Sequence, residues 1–237
     1  MDTELRNRTF APAASAAEID VGLRQHMLRV YNYMAGGLAL TGLVSFLVAS
    51  SETLTQAIFG TPLMWVAVFA PVGLVFFLSL RLHKMSFSAA QTTFWIYAGL
   101  NGLSLASIFM VYSGTSIARV FFVTAGTFAA TSLYGYTTKR DLTGFGSFLF
   151  MGLVGLIIAS LVNLFLASSA LQFALSVIGV LIFTGLTAYD TQKIKEWYIE
   201  GEDGETAGKK AIFGALNLYL DFINLFLMML RFFGNRN

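Results

Sequence analysis

Residues 145–167 read FGSFLFMGLVGLIIASLVNLFLA and contain no charged side chain. A helix of this length rises about 34 Å, which is enough to cross a hydrocarbon core of about 30 Å. The remaining apolar runs of similar length fall at about 30–50, 62–82, 89–112, 117–136, 171–190 and 211–231. The sequence therefore predicts an all-α, polytopic membrane protein built as a bundle of seven transmembrane helices.

The composition agrees with a membrane environment. Of the 237 residues, 56% are hydrophobic and only 12% are charged, whereas charged residues make up about a quarter of a soluble domain. The chain has no cysteine, which excludes disulfides, thiolate metal sites and cysteine nucleophiles. Its formal net charge of +2 is too small to indicate a nucleic-acid partner. The lipid bilayer is the expected partner of most of its surface.

The two ends of the chain are polar. Residues 1–29 include the segment APAASAA at 11–17 and are interpreted as a mobile cytoplasmic tail. They lack the short apolar core and the cleavage site of a signal peptide, so we expect them to be retained. The seven-helix domain is expected over 30–231, followed by a short tail at 232–237.

The distribution of basic residues predicts the orientation. Cytoplasmic loops of membrane proteins carry an excess of Lys and Arg. All but three of the 15 basic residues lie on the side that holds the amino terminus, and the exceptions are Arg119, Arg231 and Arg236. The amino terminus is therefore expected in the cytoplasm, and seven spans place the carboxyl terminus on the opposite side.

The last cytoplasmic loop, predicted at about 200–210, carries the acidic stretch EGEDGE at 200–205. We interpret it as a flexible, solvated linker. A docking site for a cation or a protein partner is the alternative, although the stretch lacks the ligand spacing of a calcium-binding loop.

An aspartate lies inside the last predicted span. Asp221 is about ten residues, or about 15 Å, from the start of that span, and an aspartate at such a depth costs about 3 kcal/mol to insert. Asn217 and Asn224, at i−4 and i+3, share its helical face. This polar stripe predicts a last helix at the centre of the bundle, where it lines a pore or holds helices together by hydrogen bonds.

Two further charged residues lie towards the cytoplasmic ends of their predicted spans. Asp190 ends the apolar part of the sixth span and, if the helix continues through Tyr198, lies roughly two turns below the cytoplasmic surface. There it can meet Asp221. Arg81 closes the second span at the same side. It is either a counter-ion for a buried carboxylate or an ordinary interfacial residue whose charge extends to the water.

Enzymatic and metal chemistry find no support in the sequence. His26 and His83 have no neighbouring ligands, so we expect no metal site. Catalytic triads, Gly-rich phosphate loops and the HExxH motif have no counterpart here. We therefore expect neither an enzyme nor a bound cofactor.

Three stretches resemble the Bax inhibitor-1 family in its bacterial form. They are YGYTTKRDL at 134–142, TGLTAYDTQ at 184–192 and LYLDFINLF at 218–226. The likeness extends over nearly all of 30–231. It implies a seven-helix bundle with the last helix at its centre, located in the bacterial inner membrane, and for characterised members a pH-sensitive calcium leak.

The resemblance also implies roles for individual residues. In that family two paired aspartates on the sixth and seventh helices sense pH, and an arginine of the second helix latches onto them. These roles fall on Asp190, Asp221 and Arg81. The sequence departs from the family in the loop 200–210, which looks longer than expected.

The pair suggests a gating mechanism. Two carboxylates in contact cannot both ionise at low cost, so they share a proton and titrate in two coupled steps. We hypothesise that protonation releases Arg81, loosens the second helix and opens a path for Ca²⁺ along Asn217, Asp221 and Asn224. The sequence allows the opposite sign as well, because the two carboxylates of a fully ionised pair repel each other and attract Ca²⁺.

Two other functions remain as alternatives. Intramembrane aspartyl proteases also carry Tyr-Asp on one helix, as Tyr189-Asp190 does here, but Asp221 follows Leu-Tyr-Leu rather than Gly-x-Gly, and no Pro-Ala-Leu follows. The stronger alternative is a non-conducting regulator that binds a membrane protease or another membrane partner through the tail (1–29) or the acidic loop.

Overall fold

The computed structural model describes residues 16–81 and 84–235, with side chains from residue 21 onward. All nine elements in these ranges are α-helices: α1 (Ala16–Ala49), α2 (Glu52–Phe59), α3 (Leu63–Arg81), α4 (Phe87–Leu105), α5 (Ile108–Val111), α6 (Gly114–Thr137), α7 (Thr143–Leu166), α8 (Ser169–Glu196) and α9 (Gly204–Phe233). Seven segments of this part of the chain are long and apolar enough to cross a membrane, α4 and α5 together forming one. The predicted all-α, seven-span architecture is confirmed.

Short polar residues mark where many of the helices begin. In each case the side-chain oxygen accepts a hydrogen bond from the backbone N–H three residues later, at Ser51, Ser86, Ser113, Ser168 and Asp203. Such caps satisfy N–H groups that have no partner inside the helix. Because the caps precede the apolar runs, α4, α6 and α8 start two or three residues before the predicted spans.

The first helix begins much earlier than expected. Residues 16–29, which were predicted to belong to the mobile tail, continue α1. Met27 and Val30 are buried, and the His26 ring centroid lies 6.0 Å from that of Tyr198, just beyond α8. These contacts with a distant part of the chain stabilise a polar helical extension that local hydropathy does not reveal. Residues 1–15 of the predicted tail lie outside the described residues.

The acidic loop is also shorter than predicted, because α9 begins at Gly204. Hydrogen bonds from the side chain and the backbone of Thr206 hold the pKa of Asp203 below its ordinary value, so the carboxylate that caps this helix stays ionised to a lower pH than an ordinary aspartate. Two salt bridges engage the neighbouring acids: Glu205 with Lys209 at 3.5 Å and Glu202 with Lys210 at 2.6 Å. The region is thus a capped helix start rather than a flexible linker throughout.

The last helix is the most buried of the seven spans. In its most apolar window 67% of the residues are buried, against 11–39% in the other six. Helices α1, α4, α6 and α8 pack against it. On one face of α9, the hydroxyl of the fully buried Tyr219 lies 2.7 Å from that of Thr41, and its ring meets Phe94 edge to face. This packing leaves another face of α9, which carries Asp221, turned towards α8.

Helices α6 and α8 approach each other closely at Gly135. A Cβ atom added there would overlap the backbone carbonyl of Ala188, whereas a Cβ on Gly126 of the same helix would meet nothing within 4 Å. Overpacking of this kind typically costs about 1–3 kcal/mol. We expect Gly135→Ala to lower the thermal unfolding temperature of the detergent-solubilised protein. Gly126→Ala is the matched control and should leave the temperature unchanged or raise it, since Ala favours helix over Gly.

Candidate functional site

A cavity of about 710 Å³ lies among α7, α8 and α9. Helix α8 packs against both other helices, while α7 and α9 are not close neighbours in the described part of the chain, so the cavity occupies the gap between them. Its lining includes four of the residues predicted from sequence: Asp190, Asn217, Asp221 and Asn224. The structure thus brings the predicted carboxylate pair and both asparagines into one site.

Asp190 and Asp221 contact each other through their carboxyl groups. Asp221 is only 5% exposed, and its Oδ2 atom is buried without a hydrogen-bond donor among the described residues. A buried carboxylate oxygen without a donor is costly. A proton held between the two carboxyl groups would satisfy it, because one carboxyl then donates to the other. The geometry therefore suits a pair that exchanges a single proton with the cavity.

The helices explain why the pair forms. Asp190 lies six residues before the end of α8, about 9 Å along the axis, and Asp221 lies near the middle of α9. A Cβ on Gly214 of α9 would lie 3.0 Å from the side chain of Ile194 of α8, so these two residues are at the same level. From that level the antiparallel helices carry Asp190 about 6 Å and Asp221 about 10 Å in the same direction, which leaves the two carboxyl groups within about one helical turn of each other in depth. Helix α8 continues past Asp190 as far as Glu196, two residues short of the predicted continuation through Tyr198.

The two asparagines extend the polar lining along α9. Asn224 donates from Nδ2 to the Leu220 carbonyl of its own helix at 2.8 Å. Both side chains are partly exposed, in contrast to the apolar residues on the other faces of α9. A continuous polar strip of amide and carboxyl oxygens suits a cation better than an anion.

Lys193 also lines this cavity, and it was not among the residues selected from sequence. It is the one basic residue in the described lining of this cavity. The amine lies 5.5 Å from the ring centroid of Tyr189, another lining residue. The i, i+3 spacing of Asp190 and Lys193 on one helix was the signal available, since residues three apart share a face.

Arg81 is not at the site. Its side chain is exposed at the end of α3, and α3 packs against α2 and α4 rather than against α8 or α9. Neither salt bridge among the described residues involves Arg81. The contact between Arg81 and the aspartates that was expected from sequence is therefore absent from this structure, because the position of an arginine along its span does not determine which helices lie beside that span.

A second cavity of about 780 Å³ continues the first towards the other end of the bundle. The two cavities share Leu153, Phe183 and Asn224 as lining residues. Polar side chains line the second cavity too, namely Ser160, Asn163, Gln172, Asn224 and Arg231. Together the cavities follow α8 and α9 from the level of Lys193 to that of Arg231. The three shared residues lie where the two cavities meet.

Comparison with known proteins identifies the family. The family model described as inhibitor of apoptosis-promoting Bax1 matches residues 23–237. The Rickettsia prowazekii protein RP147 is 51% identical over 237 residues, covering 100% of this chain and 96% of the relative. The Escherichia coli K12 inner membrane protein YbhL is 48% identical over 230 residues, covering 96% and 98%. The Streptococcus pyogenes membrane protein SpyM3_0260 is 37% identical over 220 residues, covering 92% and 96%. The chain therefore belongs to the Bax inhibitor-1 family of membrane proteins.

Proposed function

We propose that this protein is a pH-sensitive cation leak for Ca²⁺, located in the bacterial inner membrane and controlled by the pair Asp190–Asp221. The observation that carries the proposal is the buried contact of two carboxyl groups inside a cavity that a second cavity extends along the same helices. An ionisable residue at this depth is a functional-site hypothesis by default. Asp221 has an ionisable partner in Asp190, and polar side chains line the cavities on both sides of the pair.

The route has the chemistry of a cation path. An ion that enters near Lys193 meets the carboxyl groups of Asp190 and Asp221, then the amide of Asn224, and then the polar residues of the second cavity. Oxygen ligands of this kind suit Ca²⁺. Leu153 and Phe183, which line both cavities together with Asn224, limit conduction to a leak in this proposal, because apolar residues along the path oppose its hydration.

Arg81 supplies the proposed latch. In the latched state α3 moves towards the gap between α7 and α9, and the guanidinium pairs with the ionised aspartates. Protonation of the pair removes that attraction and releases α3. The exposed Arg81 and the packing of α3 on α4 correspond to the released arrangement in this scheme. A small difference in free energy between the two arrangements is enough for such a switch.

The inner membrane is proposed on the strength of a relative, since the protein YbhL is described as an inner membrane protein. With the amino terminus in the cytoplasm, Asp190 and Lys193 face the cytoplasmic entrance of the route. The pair then responds to cytoplasmic pH, and the carboxyl-terminal end of α9 faces the opposite side.

The test is Ca²⁺ flux into liposomes that contain the purified protein and a trapped calcium indicator. We expect the flux to rise about tenfold as the pH falls from about 8 to about 6, which lies within the limit of about a hundredfold that a single protonation sets over two pH units. Empty liposomes and liposomes containing heat-unfolded protein are the controls. A flux equal to that of empty liposomes at every pH would reject the channel and favour the non-conducting regulator of a membrane protease.

A further inference from the structure

A groove runs between α1 and α6, away from the aspartate pair. It encloses about 660 Å³ and is lined mainly by apolar side chains, among them Met27, Leu28, Met34, Phe128 and Leu133. Helix α1 packs against α4 and α9, and α6 packs against α8 and α9, but α1 and α6 are not closely packed on each other in the described part of the chain. The groove is the space that this arrangement leaves between them.

The groove opens sideways, towards the bilayer. Leu28 is 49% exposed on α1 and Leu133 is 62% exposed on α6, and these residues form its two rims. The polar groups at its floor are engaged with one another: the Tyr31 hydroxyl lies 2.6 Å from that of Ser132, which lies 2.9 Å from that of Thr191. With these hydroxyl groups already hydrogen-bonded, the floor suits an apolar occupant.

One end of the groove is basic. Arg24 lines it there, and neither described salt bridge involves Arg24. At the same end, Lys195 lies 5.8 Å from the ring centroid of Tyr136 and donates to the Tyr136 carbonyl at 2.9 Å. The end of α6 leads directly into Lys139 and Arg140. The described part of the groove lining contains no acidic side chain, so the end of the groove attracts an anion.

The dimensions match one lipid leaflet. From Arg24 to Ala35, both of which line the groove, α1 advances about 16 Å. This distance is close to half of a hydrocarbon core of about 30 Å. A ligand that fills the groove therefore has an anionic head at the level of Arg24 and an apolar chain that reaches towards the bilayer centre.

We infer that the groove between α1 and α6 is a binding site for one anionic phospholipid, whose phosphate pairs with Arg24 and whose acyl chain lies between Met27 and Phe128. Basic pockets between transmembrane helices recognise anionic lipid headgroups through this combination of charge and apolar contact. The same leaflet holds the basic loops of the protein, and a bound lipid would fill the space that α1 and α6 leave unpacked.

Native mass spectrometry of the detergent-solubilised protein, titrated with phosphatidylglycerol or with phosphatidylcholine, tests the inference. We expect one phosphatidylglycerol to bind more tightly than phosphatidylcholine. Arg24→Gln should weaken the binding of phosphatidylglycerol about fivefold, the loss typical of one basic residue near an anionic lipid. Arg29→Gln is the matched control, because Arg29 lines a different pocket on the same helix and should change the affinity little.

A second pair of variants tests the apolar part without altering charge. Ala129 lines the groove, whereas the exposed Ala130 is not part of its lining. Ala129→Trp should block the binding of phosphatidylglycerol, and Ala130→Trp should preserve it, provided that both variants show the thermal unfolding temperature of the wild type. Three results would each overturn the inference. The wild type would bind phosphatidylglycerol and phosphatidylcholine with equal affinity, Arg24→Gln and Arg29→Gln would weaken the binding of phosphatidylglycerol equally, or Ala129→Trp would bind phosphatidylglycerol as tightly as the wild type.

Discussion

Replacing both Asp190 and Asp221 with asparagine is expected to abolish the pH dependence of Ca²⁺ flux. Asparagine has the shape of a protonated aspartate but carries no titratable group, so the double variant holds the pair in its neutral form. If protonation releases the latch, flux at about pH 8 should reach the level that the wild type attains at about pH 6. The ratio of the flux at about pH 6 to the flux at about pH 8, which we expect to be about ten in the wild type, should fall below about two in the double variant.

Asp141→Asn is the control for the loss of a carboxylate. Asp141 is exposed between α6 and α7 and accepts a hydrogen bond from the Thr143 backbone N–H at 2.8 Å. Asparagine can accept that bond as well, so this variant should keep the wild-type pH profile. A double variant that conducts weakly at every pH would reverse the proposed sign of gating. A double variant whose flux still follows pH like the wild type would remove the sensor role from the pair.

The architecture was predictable because apolar length dominates it. Each of the seven spans contains an uninterrupted or nearly uninterrupted apolar block. In lipid the backbone N–H and C=O groups of such a block cannot bond to water, and a helix is the structure in which they bond to each other within the segment. Asp221 was conspicuous for the same reason, since a carboxylate within an apolar block needs a partner. Its contact with Asp190 followed from the antiparallel course of consecutive spans.

Features that depend on the lateral arrangement of helices were not predictable. Helix α1 begins at Ala16, and its extension is accompanied by the burial of Met27 and Val30 against other helices. The position of Arg81 depends on α3 packing beside α4. Spacing along the chain gives the depth of a residue but not which helix lies next to it. For that reason the sequence could not reveal that Arg81 lies apart from the aspartates.

The groove beside α1 illustrates the same limit. Its two walls come from the first and fourth spans, which are separated by about a hundred residues, and Ser132 on its floor is hydrogen-bonded to Thr191 of the sixth span. No periodicity within a single span indicates such a space. Lys193 differs from the groove in this respect. Its spacing of three residues from Asp190 is visible in the sequence, and only the cavity that this face of α8 lines was not predictable.

Arg81→Gln is expected to increase Ca²⁺ flux about tenfold at about pH 8, which corresponds to about 1.4 kcal/mol. Its side chain is exposed and away from the aspartates in this structure, so the substitution should not destabilise the released arrangement. It should destabilise the latched arrangement, in which the guanidinium pairs with an ionised carboxylate. Flux at about pH 6, where the pair is protonated and the latch already open, should change little.

A double-mutant cycle makes this prediction specific to the latch. In the Asp190→Asn, Asp221→Asn background the pair has no charge to hold Arg81, so the further change of Arg81 to glutamine should have almost no effect. Residues that act through one another show such non-additivity, whereas independent residues do not. Lys84→Gln is the control for the loss of a basic residue at the same end of the bundle, since Lys84 lies exposed just beyond α3.

If Arg81→Gln and Lys84→Gln raised flux equally, or if the effect of Arg81→Gln survived unchanged without the aspartates, Arg81 would act by surface charge alone. In that case the gate would have to lie among the residues that line the cavity itself, where Lys193 supplies a positive charge.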